Sequence, residues 1–217
     1  MHREGCARPR PLSGEPGEWP KDCPTAGQWH SRLESLSRIL DDPDALEAAV
    51  AAGEQEAAGY APGTSGETAR PAKTRLEEIA EYAGRLGIER LGLAFCVGLA
   101  REAAVCRWFF ESRGFHVASV CCKVGAVSKE ALGLDGEKRI IPGRDESMCN
   151  PSLQALSLNR AGTGLNVLLG LCVGHDSVFF RESEAPCTVL ACKDRVTGHN
   201  PLAAVYTLES YYRCLAR

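Results

Sequence analysis

Six side chains set the chemical expectation for this chain. Cys96, Cys122, Cys149 and Cys172 can supply four thiolates, and His175 and His199 two imidazoles. Such donors suit zinc or an iron–sulfur cluster better than magnesium or calcium, which take oxygen ligands. The spacing is unlike a zinc ribbon, which needs two close pairs. It is equally unlike the tight cysteine runs of ferredoxins. Zinc and an iron–sulfur cluster therefore both stay open. Ligands this dispersed have to be gathered by the fold.

The pattern around them is written twice. LGLAFCVGLAREAAVCRWFFESRGFHVASVCCKVG, from Leu91 to Gly125, reads as a strand ending in Cys-Val-Gly, a helix, and a strand ending in Cys-Lys. LNVLLGLCVGHDSVFFRESEAPCTVLACKDRVTGHN, from Leu165 to Asn200, repeats that order. Cys96 answers Cys172, Cys122 answers Cys192, and Cys149-Asn150-Pro151 answers His199-Asn200-Pro201. This reads as a degenerate internal repeat.

The elements that position these residues follow from pattern. Thr74 and Glu77 form a capping box that opens a helix to Leu86, stopped by Gly87. Four short apolar runs, 89–95, 116–121, 165–172 and 186–192, read as strands. Helices are expected at 99–113 and 151–161, and a last one at 201–215. Asn150-Pro151 and Asn200-Pro201 are good helix starts, a capping side chain followed by a ring that fits the first turn. Fully apolar strands alternating with helices predict an α/β fold. It is a Rossmann-like, mostly parallel sheet of about four strands, covered by helices on both faces. Sites in such sheets form at the carboxyl ends of the strands. Cys96, Cys122, Cys172 and Cys192 follow strand-like runs, so they are expected along that edge. Lys123, Lys193 and Arg195 lie near it and suit an anionic substrate or plain solvation. Cys149 and His199 precede helix caps, where the dipole favours a thiolate. Of the adjacent pair Cys121 and Cys122, one is expected in the core. Cys106, Cys187 and Cys214 read as small buried hydrophobes.

Before this core, 31–58 reads as a helical extension and 59–73 as a Gly- and Pro-rich linker. The domains expected are 1–30 as a Cys/Pro/Gly-rich tail, 31–73 as extension and linker, and 74–217 as the metal-binding core. In the tail, His2, Cys6, Cys23 and His30 are a Cys/His knot or simply a tail. Eleven cysteines in 217 residues are many and their number is odd. They favour metal ligation or reactive thiols in a reducing cytoplasm over disulfide pairing. A formal charge of −3 gives no footprint for nucleic acid. No apolar run is long enough to span a bilayer.

The words LGLAFCVGL, SVCCKVG, MCNPSLQALSLN, GLCVGHDSVF and KDRVTGHNPLAA resemble an uncharacterised prokaryotic family. It is the cysteine-rich "predicted metal-binding protein" group, domain of unknown function eighteen-forty-seven. The resemblance covers roughly Arg75 to Leu208 and implies metal binding without a reaction. Three functions are therefore expected in turn. The first is a metalloprotein with Cys96, Cys122, Cys149 and Cys172 around a zinc ion or iron–sulfur centre, His175 and His199 adjacent, and a redox partner protein. The second is a metal-free thiol oxidoreductase using Cys172 or Cys96. The third is a partner-binding module with buried thiols.

Overall fold

The computed structural model of the chain describes residue 28, residues 31–61 and residues 69–216. His2, Cys6, Cys23 and His30 lie outside the described residues. Contacts divide the chain into two units, one up to Ala58 and one from Gly59. In the first, α1 (Ser31–Leu40) packs on α2 (Pro43–Ala58). Asp42 Oδ1 accepts from the amides of Asp44 (3.1 Å) and Ala45 (3.2 Å), which starts α2 with Pro43 in its first turn.

In the second unit, β1 (Tyr60–Ala61) and β2 (Arg70–Pro71) pair antiparallel inside the stretch expected to be only linker. Then come α3 (Arg75–Arg85), β3 (Arg90–Phe95), α4 (Ala100–Ser112) and β4 (His116–Cys121). They are followed by α5 (Pro151–Arg160), β5 (Leu165–Leu169), α6 (His175–Glu182), β6 (Cys187–Ala191) and α7 (Pro201–Tyr206). The capping box at Thr74 is present, with both of its hydrogen bonds. The four strands β3 to β6 form one parallel sheet in the order β4-β3-β5-β6. The chain leaves β3 towards β4 on one side and returns to β5 on the other. The switch point of the fold therefore lies between β3 and β5.

Strand residues alternate between two cores because successive side chains point to opposite faces. Leu91, Leu93, Leu165 and Val167 face α3 and α4, against Ile79, Ala83, Ala103 and Phe110. Ala94 and Leu168 face α5 and α6, against Ala155, Leu158 and Phe179. Each large apolar side chain so buried contributes roughly 1.5–3 kcal/mol. At the amino end of the sheet the one buried amide is fully satisfied. Asn166 Oδ1 accepts from Thr163 Oγ1 (2.8 Å) and its Nδ2 donates to Ser183 Oγ (2.8 Å). Gly92 leaves room for it: a Cβ there would stand 1.9 Å from Asn166 Oδ1.

Three expectations are corrected. β5 stops at Leu169 and not at Cys172, because Gly170 turns with φ +67°. Leu99 fills the space a Cβ at 170 would need, at 2.2 Å. Cys172 thus lies past a turn instead of directly at the strand end. The last helix ends at Tyr206, not Leu215. Thr207 Oγ1 donates back to Ala203 O (2.7 Å), and turns and a 3-10 segment (Arg213–Ala216) follow. Cys214 falls on that segment and is exposed, not buried.

Candidate metal centre

The carboxyl edge of β3 and β4 is built by backbone bonds before any thiol is considered. The Cys96 N–H donates to Leu169 O (3.1 Å) and the Cys122 N–H to Phe95 O (2.8 Å), so both cysteines continue the ladder. The chain between β4 and α5 returns to the same point, because the Asn150 N–H donates to Cys122 O (2.8 Å). Asn150 Oδ1 also accepts from the Leu153 N–H (3.0 Å), capping α5 with Pro151 in its first turn. Cys149 is thereby delivered beside Cys122.

One residue that sequence reading missed braces two of these positions. Gln154 on α5 is fully buried, and its Nε2 donates to Phe95 O (3.3 Å) and Val120 O (2.8 Å). It ties together the strand ends from which Cys96 and Cys122 hang. The signal in the sequence is a lone polar residue on the apolar face of a helix, between Leu153 and Ala155.

The result is a chain of three thiols. Cys96 and Cys149 each share a hydrogen bond with Cys122, which lies between them and is 3% exposed. The Cys122 hydrogen bond is the main cause that holds Cys96 down to about 4; the Gly98 N–H and Lys193 assist. The same bond holds Cys149 down to about 5, helped by the charges of Lys123 and His175. Cys122 is pushed strongly up, first by its bonds to Cys149 and Cys96 and then by burial. The Val97 N–H on its sulfur, at 3.3 Å, works the other way. The middle thiol keeps its proton longest, and its single S–H can donate to only one flanking sulfur at a time.

The other expected ligands are placed differently. His175 opens α6 after Gly174 (φ +85°), and its Nδ1 is buried without a hydrogen-bond partner. It is close enough to Cys149 to act on its charge. Cys172 accepts from Arg195 Nη2 (3.2 Å). His199 has φ +66°, which turns its ring onto its own loop. There Nδ1 lies 3.2 Å from both the Asp194 amide N and the Cys192 carbonyl O. It accepts from the first as one tautomer and donates to the second as the other. Cys192 is exposed.

Cys121 is half-buried, and its neighbour Cys122 is the one in the core. Cys106 is buried under α4, which pushes its thiol up. Cys187 donates to Ser183 Oγ (3.2 Å). All nine cysteines of the described residues are free. Among those residues no three His, Cys, Asp or Glu side chains are grouped tightly enough to hold an ion as they stand. No described helix is long and apolar enough to cross a membrane.

Comparison with known proteins relates the chain to others by sequence. The model of a family described as "Protein of unknown function (DUF1847)" matches residues 23–190. An uncharacterized protein of Methanocaldococcus jannaschii is 46% identical over 140 residues, 64% of this chain and 69% of that protein.

Proposed function

The chain belongs to the DUF1847 family, and we propose that it is a soft-metal protein whose centre is held by Cys96, Cys122 and Cys149, with His175 beside them. The observation that carries this reading is the convergence of three thiols from β3, β4 and the start of α5 into one hydrogen-bonded set. The donors fit the group. Three thiolates and an imidazole match a Cys₃His zinc site, and the same thiolates suit an iron–sulfur cluster. The chained arrangement is the one that protons favour. Replacing the Cys122 proton by a cation removes the hydrogen bonds that string the sulfurs out. Each cysteine can then turn about its single χ1 to face a common point. Lys193 and Lys123 offset the excess negative charge of the thiolates. On the α6 side the Nδ1 of His175 is buried without a hydrogen-bond partner. A bound zinc ion would supply structural closure or Lewis acidity, and a bound cluster electron transfer to a partner protein. Cysteines free of disulfides in the described residues support a reducing, cytoplasmic setting.

A second reading is favoured by one specific feature, the depressed Cys96 in contact with the protonated Cys122. Such a pair can reduce a substrate disulfide. The Cys96 thiolate attacks one sulfur and expels a thiolate; Cys122, losing its proton, then attacks Cys96 and releases the second thiol as the protein disulfide forms.

The deciding experiment is elemental analysis with a visible spectrum of the full chain purified without oxygen, beside Cys149→Ser. One zinc per chain and no colour, lost in the variant, is the expected zinc outcome. Iron with labile sulfide and broad visible absorption, lost in the variant, is the cluster outcome. A chain that stays metal-free after anaerobic reconstitution overturns the metal reading and leaves thiol exchange.

A further inference from the structure

Three thiols on this edge each have a cation beside them. Lys123 acts on Cys149, Lys193 on Cys96, and Arg195 on Cys172. Some described lysines and arginines elsewhere pair with carboxylates, as in Lys73–Glu81, Arg107–Glu111 and Lys129–Glu146. Lys193 and Arg195 have no carboxylate partner among the described residues. Lys123 differs from both, because its Nζ also donates to Ser147 O (2.5 Å).

The position of Lys193 is informative. Its backbone N–H donates to Leu171 O (3.2 Å) beyond β6, yet its side chain reaches back over the switch point. Nζ lies 3.9 Å from where a Cβ would stand on Gly98, and 3.9 Å from the same point on Gly170. One glycine follows β3 and the other follows β5. The ammonium group therefore sits over the gap between those two strand ends, where open parallel sheets take their ligands. Arg195 comes from the same loop and reaches Cys172, on the turn after β5.

We propose that this edge binds a small oxyanion, the carboxylate or phosphate group of a small molecule, with Lys193 Nζ and the Arg195 guanidinium as its cationic partners. The anion would hold the rest of that molecule against Cys96. Arginine offers a planar fork that matches either group and lysine adds a point charge. The proposal rests on the reading of this edge as the working site. It does not depend on which metal is present there.

The test is calorimetric titration of the full chain with inorganic phosphate and, separately, with acetate. Metal content is measured on the same samples. Saturable binding of either anion is expected, and the one that binds names the source. Removing one charge-assisted bond by Lys193→Gln or Arg195→Gln weakens binding at least about tenfold. Lys193→Arg retains it, and so does Lys138→Gln, far along the chain in the loop before α5. No saturable heat with either anion, or equal binding by wild type and both glutamine variants, overturns the proposal. Anion binding by a chain that takes no metal keeps this proposal and sinks the metal reading. Metal without anion binding does the reverse.

Discussion

β3-α4-β4-α5 and β5-α6-β6-α7 have the same element order, and each ends on Asn-Pro at a helix start. In the first, Cys96, Cys122 and Cys149 meet in one hydrogen-bonded set. In the second, the side chains of the matching residues Cys172, Cys192 and His199 form no such set. Cys172 faces Arg195, Cys192 faces solvent, and His199 faces its own loop. The two β-α-β-α units thus carry their candidate ligands in the same element order, at unequal offsets, and gather them unequally. The difference lies in the backbone: Asn150 donates to the Cys122 carbonyl, whereas the His199 N–H bonds back to Asp194 O (2.8 Å). A loop closed onto the neighbouring strand end brings its cysteine to the other thiols, and a loop closed onto itself does not.

The largest expected effect removes this contrast at its centre. Cys122→Ala takes away the middle sulfur and is expected to abolish bound metal, while Cys192→Ala leaves stoichiometry unchanged. Elemental analysis of the two variants decides it. Equal loss from both would mean that the second β-α-β-α unit contributes ligands after all, and the comparison would fail.

The same variant sharpens the electrostatics of the metal-free chain. Cys149 is held down to about 5, chiefly by the Cys122 hydrogen bond, so it is a thiolate throughout neutral pH. Its alkylation rate, followed on the Cys149 peptide by mass spectrometry, should be flat from about pH 6 to 9. In Cys122→Ala the Cys149 pKa rises towards the ordinary thiol value, and the rate should climb with pH across that window. A steep profile in the wild type would contradict the thiolate assignment.

The sheet was legible in the sequence because its strands are short, apolar and bounded by helix caps that act locally. The carboxyl-edge placement of Cys96 and Cys122 followed from that. Their union with Cys149 did not, because it depends on an irregular loop of more than twenty residues returning to one carbonyl. Nor did the offset of Cys172, which depends on contact between Gly170 and Leu99 from different elements. That offset is testable. Gly170→Ala combines a left-handed backbone with a Cβ 2.2 Å from Leu99 Cδ1. It is expected to cost about 2–4 kcal/mol in chemical denaturation. Gly98→Ala, the glycine two residues past Cys96, should stay within about 1 kcal/mol of wild type.

Gln154 marks the next difference between the units. Counted from the helix-starting proline, its counterpart after Pro201 is Ala204. The glutamine bridges two strand carbonyls at no exposure, although its own Oε1 has no partner. Gln154→Leu keeps the volume, removes both bonds and also removes the unpaired oxygen. The balance of these effects predicts a loss of about 1–2 kcal/mol. Metal retention should fall further than stability does, because Cys96 and Cys122 lose their common brace. A variant that loses stability alone would make Gln154 a core residue and nothing more.

The smallest effect separates two identical dipeptides. Asn150 and Asn200 both precede proline at a helix start, and by sequence both should cap. Only Asn150 does so, through Oδ1 and the Leu153 amide, while Asn200 makes no side-chain cap bond. Asn150→Ala should therefore cost about 1 kcal/mol, and Asn200→Ala less than about 0.5 kcal/mol. The cap matters beyond its own energy, since Asn150 is also the residue whose N–H holds Cys149 at Cys122. Fraying the start of α5 loosens that hold, so Asn150→Ala should lower metal retention and Asn200→Ala should not. Equal costs for the two variants would place the difference between the units in their cysteines alone, rather than in the loops that deliver them.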